Sequence, residues 1–212
     1  MPGEPTQLRA DARENRDRIV AAAREAFAAE GLDVPMTAIA RRAGVGVATL
    51  YRRFPTKEAL VREAFAEQLA ACTGAVHRAA EDPDPWRGFR RVVEQLCEMQ
   101  ARDRGFSAAV LTAFPDAVSV DEVRAEAEGV FAGVVERAKA AGALRPDFST
   151  DDLALVLMAN NGLVADSTDA AVAASRRLVA YFLQAFRARD PLPPPVRLGL
   201  RDALDRPPRQ SF

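Results

Sequence analysis

Between Ala43 and Ala48 the chain reads AGVGVA, and this run of small residues joins two short stretches of helical periodicity. Ahead of it, Ile39, Ala40 and Ala43 mark the inward face of a short helix over 36–43, which Gly44 ends and whose first turn suits Pro35, where a missing N–H costs nothing. Behind it, Leu50 and Phe54 stand four residues apart in a helix that starts near Gly46. That helix stops before Pro55, because the residue preceding a proline disfavours the α region. Gly44 can adopt a positive φ and reverse the chain, Val45 can plug the gap between the helices, and Gly46 is an acceptable N-cap. Two short helices joined by so tight a turn make a helix-turn-helix.

The second helix is small at its tip and crowded with donors behind. With Leu50 and Phe54 turned to the core, Thr49, Tyr51, Arg52 and Arg53 lie on the other side, suited to phosphate oxygens and base edges. Charge along the chain agrees. Residues 34–57 hold five basic side chains (Arg41, Arg42, Arg52, Arg53, Lys57) and no acidic one, which leaves 24 basic against 30 acidic residues elsewhere. A basic face on an acidic body is the footprint of a polyanion binder.

The remaining sequence is helical nearly throughout, with no strand pattern and no internal repeat, so the fold class is all-α. Ile19, Ala22, Ala23, Ala26 and Phe27 form the stripe of a helix over 15–30 that Gly31 can cap. Further helices are expected over 56–80, broken by Asp82 to Pro85, over 86–102, over 107–114, from the Ser119/Glu122 capping box to about 141, from the Ser149/Asp152 pair to about 165, and over 168–188. This divides the chain into an N-terminal arm (1–14), a helix-turn-helix domain (15–60), a larger helical domain (61–189) and a tail (190–212). The tail holds six of the 14 prolines and is expected to be loosely attached.

Cys72 and Cys97 are far apart with no CxxC spacing, and His77 is the single histidine, so neither a disulfide nor a zinc site is indicated and no cofactor is expected. No apolar run approaches the ~20 residues of a membrane span, and a cytoplasmic protein is expected. One histidine and no acidic metal cluster or nucleophile–base pair argue against a DNA-modifying enzyme. The acidic body argues against a general architectural DNA binder.

The segment MTAIARRAGVGVATLYRRFPTKEALV (36–61) resembles the DNA-binding signature of the TetR family of bacterial transcription regulators. The resemblance is carried by Ile39-Ala40, Ala43-Gly44-Val45, Thr49-Leu50-Tyr51, Phe54 and Lys57-Glu58-Ala59-Leu60, with Ala23, Phe27 and Gly31 in the preceding helix. It implies that Thr49, Tyr51, Arg53 and Lys57 hold the phosphate backbone of operator DNA, and that Thr37, Val47, Ala48 and Arg52 lie where bases are met. Two departures are Pro35 and Gly46, which stand where the family often has a hydroxyl residue.

The resemblance also implies a ligand-responsive repressor, acting as a homodimer on a palindromic operator, with an effector pocket and a dimer interface in the larger domain. A constitutive regulator without an effector is the alternative. Trp86, Phe89, Met99, Phe106, Leu111, Phe114, Phe131 and Met158 supply apolar pocket surface for a small, largely apolar molecule. Leu157, Ala174, Leu178, Phe182 and Phe186 are the expected dimer residues, from the last two helices. Asn160 and Asn161 place amides in an otherwise apolar helix and are open to two readings, a ligand contact or a bond across the dimer.

Overall fold

The computed structural model describes residues 4–103 and 118–195, with side chains from 13 to 103 and from 125 to 195. Among these, regular structure is α-helical only: α1 (Glu4–Glu30), α2 (Met36–Arg42), α3 (Val47–Arg53), α4 (Lys57–Glu81), α5 (Pro85–Arg102), α6 (Val118–Ala140), α7 (Thr150–Asn161) and α8 (Thr168–Ala185). The chain divides into two compact units, 1–67 and 68–212.

Unit 1 is built on α1. Its apolar stripe buries Ile19, Ala23, Ala26 and Phe27 almost completely, and Gly31 stops it at φ +75° with its N–H on the Phe27 carbonyl at 3.0 Å. The helix begins at Glu4 rather than at 15: no Gly or Pro interrupts the chain after Pro5 until Gly31, and a proline in the first turn is tolerated. The start of α4 belongs to the same unit. Leu60, Val61, Ala64 and Phe65 are buried, the Phe27 and Phe65 rings are 6.1 Å apart, and Arg16 pairs with Glu63 at 2.6 Å while Arg24 donates to the Ala64 carbonyl and to Glu67. The unit therefore ends inside α4, beyond the boundary expected at 60.

Unit 2 surrounds α5, which packs against α6, α7 and α8 and buries Phe89, Val92, Val93 and Cys97. The turn before it is held by two aspartates. Asp84 caps α5 through the N–H groups of Trp86 and Arg87 at 3.0 and 3.1 Å. Asp82, only 7% exposed, accepts from the Asp84 N–H at 2.9 Å and from Arg87 at 2.7 and 3.0 Å, with Arg91 at 3.4 Å. Arg137 of α6 reaches the carbonyls of Ala80 and Asp82 and so closes the C-terminus of α4. The Arg87 hydrogen bonds and the Asp84 N–H hold the Asp82 carboxyl down at about 2.

Three helix ends in unit 2 also differ from expectation. Ser119 lies inside α6 and is not its cap, since the helix already includes Val118. The Ser149/Asp152 box does open α7, the Ser149 N–H donating to Asp152 at 2.7 Å, but the helix ends at Asn161 rather than near 165. There Gly162 lowers helix propensity and the Leu163 N–H turns to the Asn160 carbonyl three residues back. α8 stops at Ala185 rather than 188: the Arg187 and Ala188 N–H groups turn to the carbonyls three residues back, on Gln184 and Ala185, and the Phe186 carbonyl accepts from the Arg145 N–H at 2.9 Å. The helix expected over 107–114 and the tail beyond 195 lie outside the described residues.

Gly88 has no room for a side chain: a Cβ there would stand 2.7 Å from the Ala79 carbonyl oxygen. Gly88→Ala should therefore destabilise unit 2 by roughly 1–3 kcal/mol, read as a lower thermal midpoint. For Asp82 the sign follows from its lowered pKa. The stabilisation is present above the ordinary carboxyl value of 3.8 and is lost as pH falls through about 2. In melting curves across pH, wild type should exceed Asp82→Asn by a steady margin at neutral pH, and the margin should close below the ordinary value.

Candidate nucleic-acid interface

The geometry of α3 follows from one buried residue. Of its seven residues only Leu50 is buried, at 0% exposure, with Phe54 sealing the end at 4%. α2 supplies the opposing surface through Met36, Ile39 and Ala40. Holding the helix by this single i, i+4 ridge turns the rest outward: Val47 and Tyr51 are 41% and 45% exposed, Ala48, Arg52 and Arg53 are exposed, and Thr49 and Lys57 are half-buried. Thr37, on α2, is exposed as well. The structure thus gathers all eight expected DNA-contact residues within α2, α3 and the first residue of α4.

The turn distinguishes two glycines. Gly44 sits at φ +65°, where a side chain would be strained, and Val45 donates its N–H to the Ala40 carbonyl at 3.0 Å. Gly46 has φ −65°, and an added Cβ would meet only Thr49 Oγ1 at 3.8 Å. Neither backbone strain nor internal crowding calls for glycine there, so its smallness matters only for what approaches from outside. Gly46 caps α3 with its carbonyl alone, taking the N–H groups of Thr49 and Leu50 at 2.9 and 3.1 Å. Pro35 occupies the N-cap of α2, one place earlier than the first-turn position expected, and no side chain caps that helix. Arg42 is committed to Glu30. Arg41, Arg52, Arg53 and Lys57 make no ion pair among the described residues, leaving a cationic surface around α3.

In unit 2 the expected pocket residues separate. Phe89, fully buried, lies 5.7 Å from the Trp86 ring, 6.0 Å from Phe131, 5.2 Å from Phe148 and 6.1 Å from Phe186. Phe89 and Phe131 thus belong to the buried core of unit 2, with the partly buried Trp86 packed against it. Met99 lines an open groove of about 450 Å³ between α4 and α5, among Arg78, Glu94 and Gln95, and its sulfur meets that of Cys72 at 3.9 Å. Burial pushes both thiols up, Cys72 to about 11 and Cys97 to about 12, so neither supplies a thiolate nucleophile at neutral pH. Met158 is half-buried and Asn161 exposed. Phe106, Leu111 and Phe114 lie outside the described residues.

The expected dimer residues also divide. Leu157 of α7 and Phe186, the C-cap of α8, belong to the core of unit 2, Phe186 packing on Phe89 of α5 and on Phe148 of the loop before α7. Ala174, Leu178 and Phe182 are half-buried. Outward stand two residues not anticipated, Leu155 at 42% and Tyr181 at 55% exposure, the latter with Arg177 stacked 5.3 Å over its ring. Their signal was one of phase: both fall between the buried positions of their helices.

Asn160 is 3% exposed and bonds within its own chain. Its Nδ2 donates to the Cys97 carbonyl at 3.0 Å and to Gln100 Oε1 at 2.8 Å, and Ser175 Oγ of α8 donates to the same carbonyl at 3.3 Å. Asn160 Oδ1 and Gln100 Nε2 are left buried without a partner, each at a cost of about 1–3 kcal/mol. Gln100 was legible only as a polar residue in phase with Phe89, Val93 and Cys97.

The bacterial regulatory proteins of the tetR family match residues 19–64, the whole helix-turn-helix with the end of α1 before it and the start of α4 after it. The SbtR-like transcriptional regulator C-terminal domain matches residues 84–188, which spans α5 to α8. The TetR transcriptional regulator SCO0520 from Streptomyces coelicolor is 30% identical over 81% of this chain and 98% of its own, with a TM-score of 0.52. This chain belongs to the TetR family. It is accordingly a DNA-binding transcriptional regulator and not an enzyme. At the level of fold alone, this TetR protein is also similar to the ketosteroid regulator KstR2 of Mycobacterium tuberculosis (17% identity, 80% and 93% of the two chains, TM-score 0.64). It is similar in the same way to FadR from Bacillus subtilis in complex with stearoyl-CoA (15% identity, 78% and 96%, TM-score 0.54). No curated protein sequence matches it significantly. Among its described residues no helix is long and apolar enough to cross a membrane.

Proposed function

We propose that this TetR-family protein is a ligand-responsive repressor that binds a palindromic operator as a homodimer and is released by a small, largely apolar effector. The observation that carries the reading is α3: anchored by Leu50 and Phe54, it turns Val47, Ala48, Tyr51, Arg52 and Arg53 outward beside a segment of positive charge. In this reading unit 1 inserts α3 into the major groove, Arg52 with Thr37, Val47 and Ala48 meets base edges, and Tyr51, Arg53, Lys57 and Thr49 hold phosphates. Gly46 lets the start of the helix come close. Unit 2 carries effector and partner subunit. An effector can shift the DNA-binding equilibrium only by its differential affinity for two states of the protein. Such a regulator works where the chromosome is, in the cytoplasm.

The second subunit is expected on the outward face of α7 and α8, where Leu155, Ala159, Arg177 and Tyr181 stand exposed. Two α3 helices must reach half-sites about one turn of DNA, ~34–36 Å, apart, which one copy of the chain cannot do. A second reading, a constitutive regulator without effector, is favoured by the solid aromatic cluster around Phe89. Selection of bound sequences from random duplexes tests the operator claim directly: an inverted repeat is expected, and an asymmetric site overturns the homodimeric reading.

Two predictions separate the contacts. Arg52 and Arg53 are successive helical residues about 100° apart and cannot face the same feature of the duplex. Arg52→Ala should cost roughly 1–3 kcal/mol on the selected operator and relax preference at one base pair per half-site. Lys57→Ala should weaken binding to operator and scrambled DNA alike and lower the magnitude of the log K against log salt slope by about 1 per subunit. Equal loss on both DNAs for Arg52→Ala, with a flatter slope, would make Arg52 a phosphate contact. For the dimer, Tyr181→Asp places a charge in an apolar contact and should lower the light-scattering mass toward the monomer at micromolar concentration. A monomeric wild type refutes the assembly.

A further inference from the structure

We propose that Asn160 and Gln100 form the polar end of the effector site and select a neutral molecule that bears a hydroxyl or carboxamide on an apolar body. The inference rests on the ligand-responsive reading above and narrows its effector to a chemical class.

Three helices of unit 2 meet here. α5 brings Gln100, 4% exposed, α7 brings Asn160, 3% exposed, and α8 brings Ser175, 1% exposed. Asn160 Nδ2 uses both hydrogens, on the Cys97 carbonyl and on Gln100 Oε1, which fixes the two side chains against each other. What remains is one acceptor, Asn160 Oδ1, and one donor group, Gln100 Nε2, neither with a partner. The two belong to side chains bonded to each other, so a single visiting group with a donor and an acceptor can satisfy both; a hydroxyl and a carboxamide each have that pattern. Leu157 and Val156, one turn before Asn160, and Cys97, one turn before Gln100, are all buried core residues, so the immediate surroundings of the pair are apolar.

Charge excludes ionic head groups. Among the described residues of unit 2 the buried charged side chains are Asp82 and Arg145, and each is already matched, Asp82 by Arg87 and Arg91 and Arg145 by Asp147. A carboxylate or ammonium placed beside Asn160 would lose its hydration with no free buried charge among the described residues to offset it. The open groove between α4 and α5 is a different place. There Glu98 is paired with Arg102 and Arg176, and Arg78 bonds Gln95, so its polar groups are mutually engaged.

The pair is also a poor device for stability alone. Exchanging two buried polar partners for apolar groups of similar shape is close to neutral or stabilising, whereas keeping them half-satisfied is costly. This separates a recognition role from a structural one in a single experiment. Thermal midpoints of the full-length protein are measured for wild type and for the double variant Gln100→Met with Asn160→Leu, alone and with 1-hexanol, hexanamide, hexanoate or hexylammonium at equal concentration. The double variant should melt no lower than wild type. Hexanol and hexanamide should raise the wild-type midpoint relative to the variant by roughly 2–4 °C, and the two ions should not.

A variant that melts well below wild type makes the pair structural and overturns the proposal. Equal shifts for wild type and variant, equal or larger shifts with the ions, or no shift with any probe, as when water alone occupies the pair, overturn it too. Stabilisation by hexanol through Asn160 and Gln100 with no change in operator affinity would keep the site and remove the effector reading. A compound that releases the operator from wild type and variant alike would remove this site and keep that reading.

Discussion

Burial of Leu50 is the contact on which the DNA-facing surface depends. α3 has seven residues, too few to be stable alone, and most helical stability in such a segment comes from packing rather than from propensity. With a single fully buried side chain and Phe54 one turn on, the helix has only one way to lie against α2. Everything else about the surface is then a consequence of 100° steps: Tyr51, Arg52 and Arg53 face outward because Leu50 faces inward. α1 and the start of α4 supply the rest of the support, through Phe27 against Phe65 and the pairs that Arg16 and Arg24 make with α4.

Unit 2 balances two demands on one core. Around Phe89 the aromatic rings pack edge to face and stacked, a solid arrangement that holds α5, α6 and the chain after α8 together. Further along α5 the same face turns polar at Gln100, and the hydrogen bonds of Asn160 and Ser175 to the Cys97 carbonyl join α7 and α8 to it. A core built for stability alone would continue the apolar pattern. The half-satisfied amides are the place where sequence pattern and packing disagree, and such disagreements in a folded protein mark function more often than error.

The N-terminal half was largely legible. Gly31, Gly44 and Pro55 punctuate it, the stripes of α1 and α2 have clean periodicity, and the charge of 34–57 stands out against an acidic remainder. The Ser149/Asp152 box was equally readable, since capping is a local hydrogen-bond pattern. Of the ends that moved, the start of α1 and the end of α8 had no local punctuation. α1 continues back to Glu4 because nothing stops it, and α8 ends in a turn of three-residue hydrogen bonds whose Phe186 carbonyl is held by Arg145, far away in the chain.

What the residues determined by themselves, then, was helix content, the helix-turn-helix, the place of the positive charge and the family signature, because periodicity, glycine and proline conformations and formal charge are properties of neighbouring residues. Which side of α8 faces inward was not among them. Its stripe is broad enough to serve a core or a partner, and only the packing of α5 assigned Phe186 inward and Tyr181 outward. The pairing of Asn160 with Gln100, 60 positions apart, was likewise a decision of tertiary structure: a buried amide is costly or useful according to what lies opposite it, and that neighbour comes from another helix.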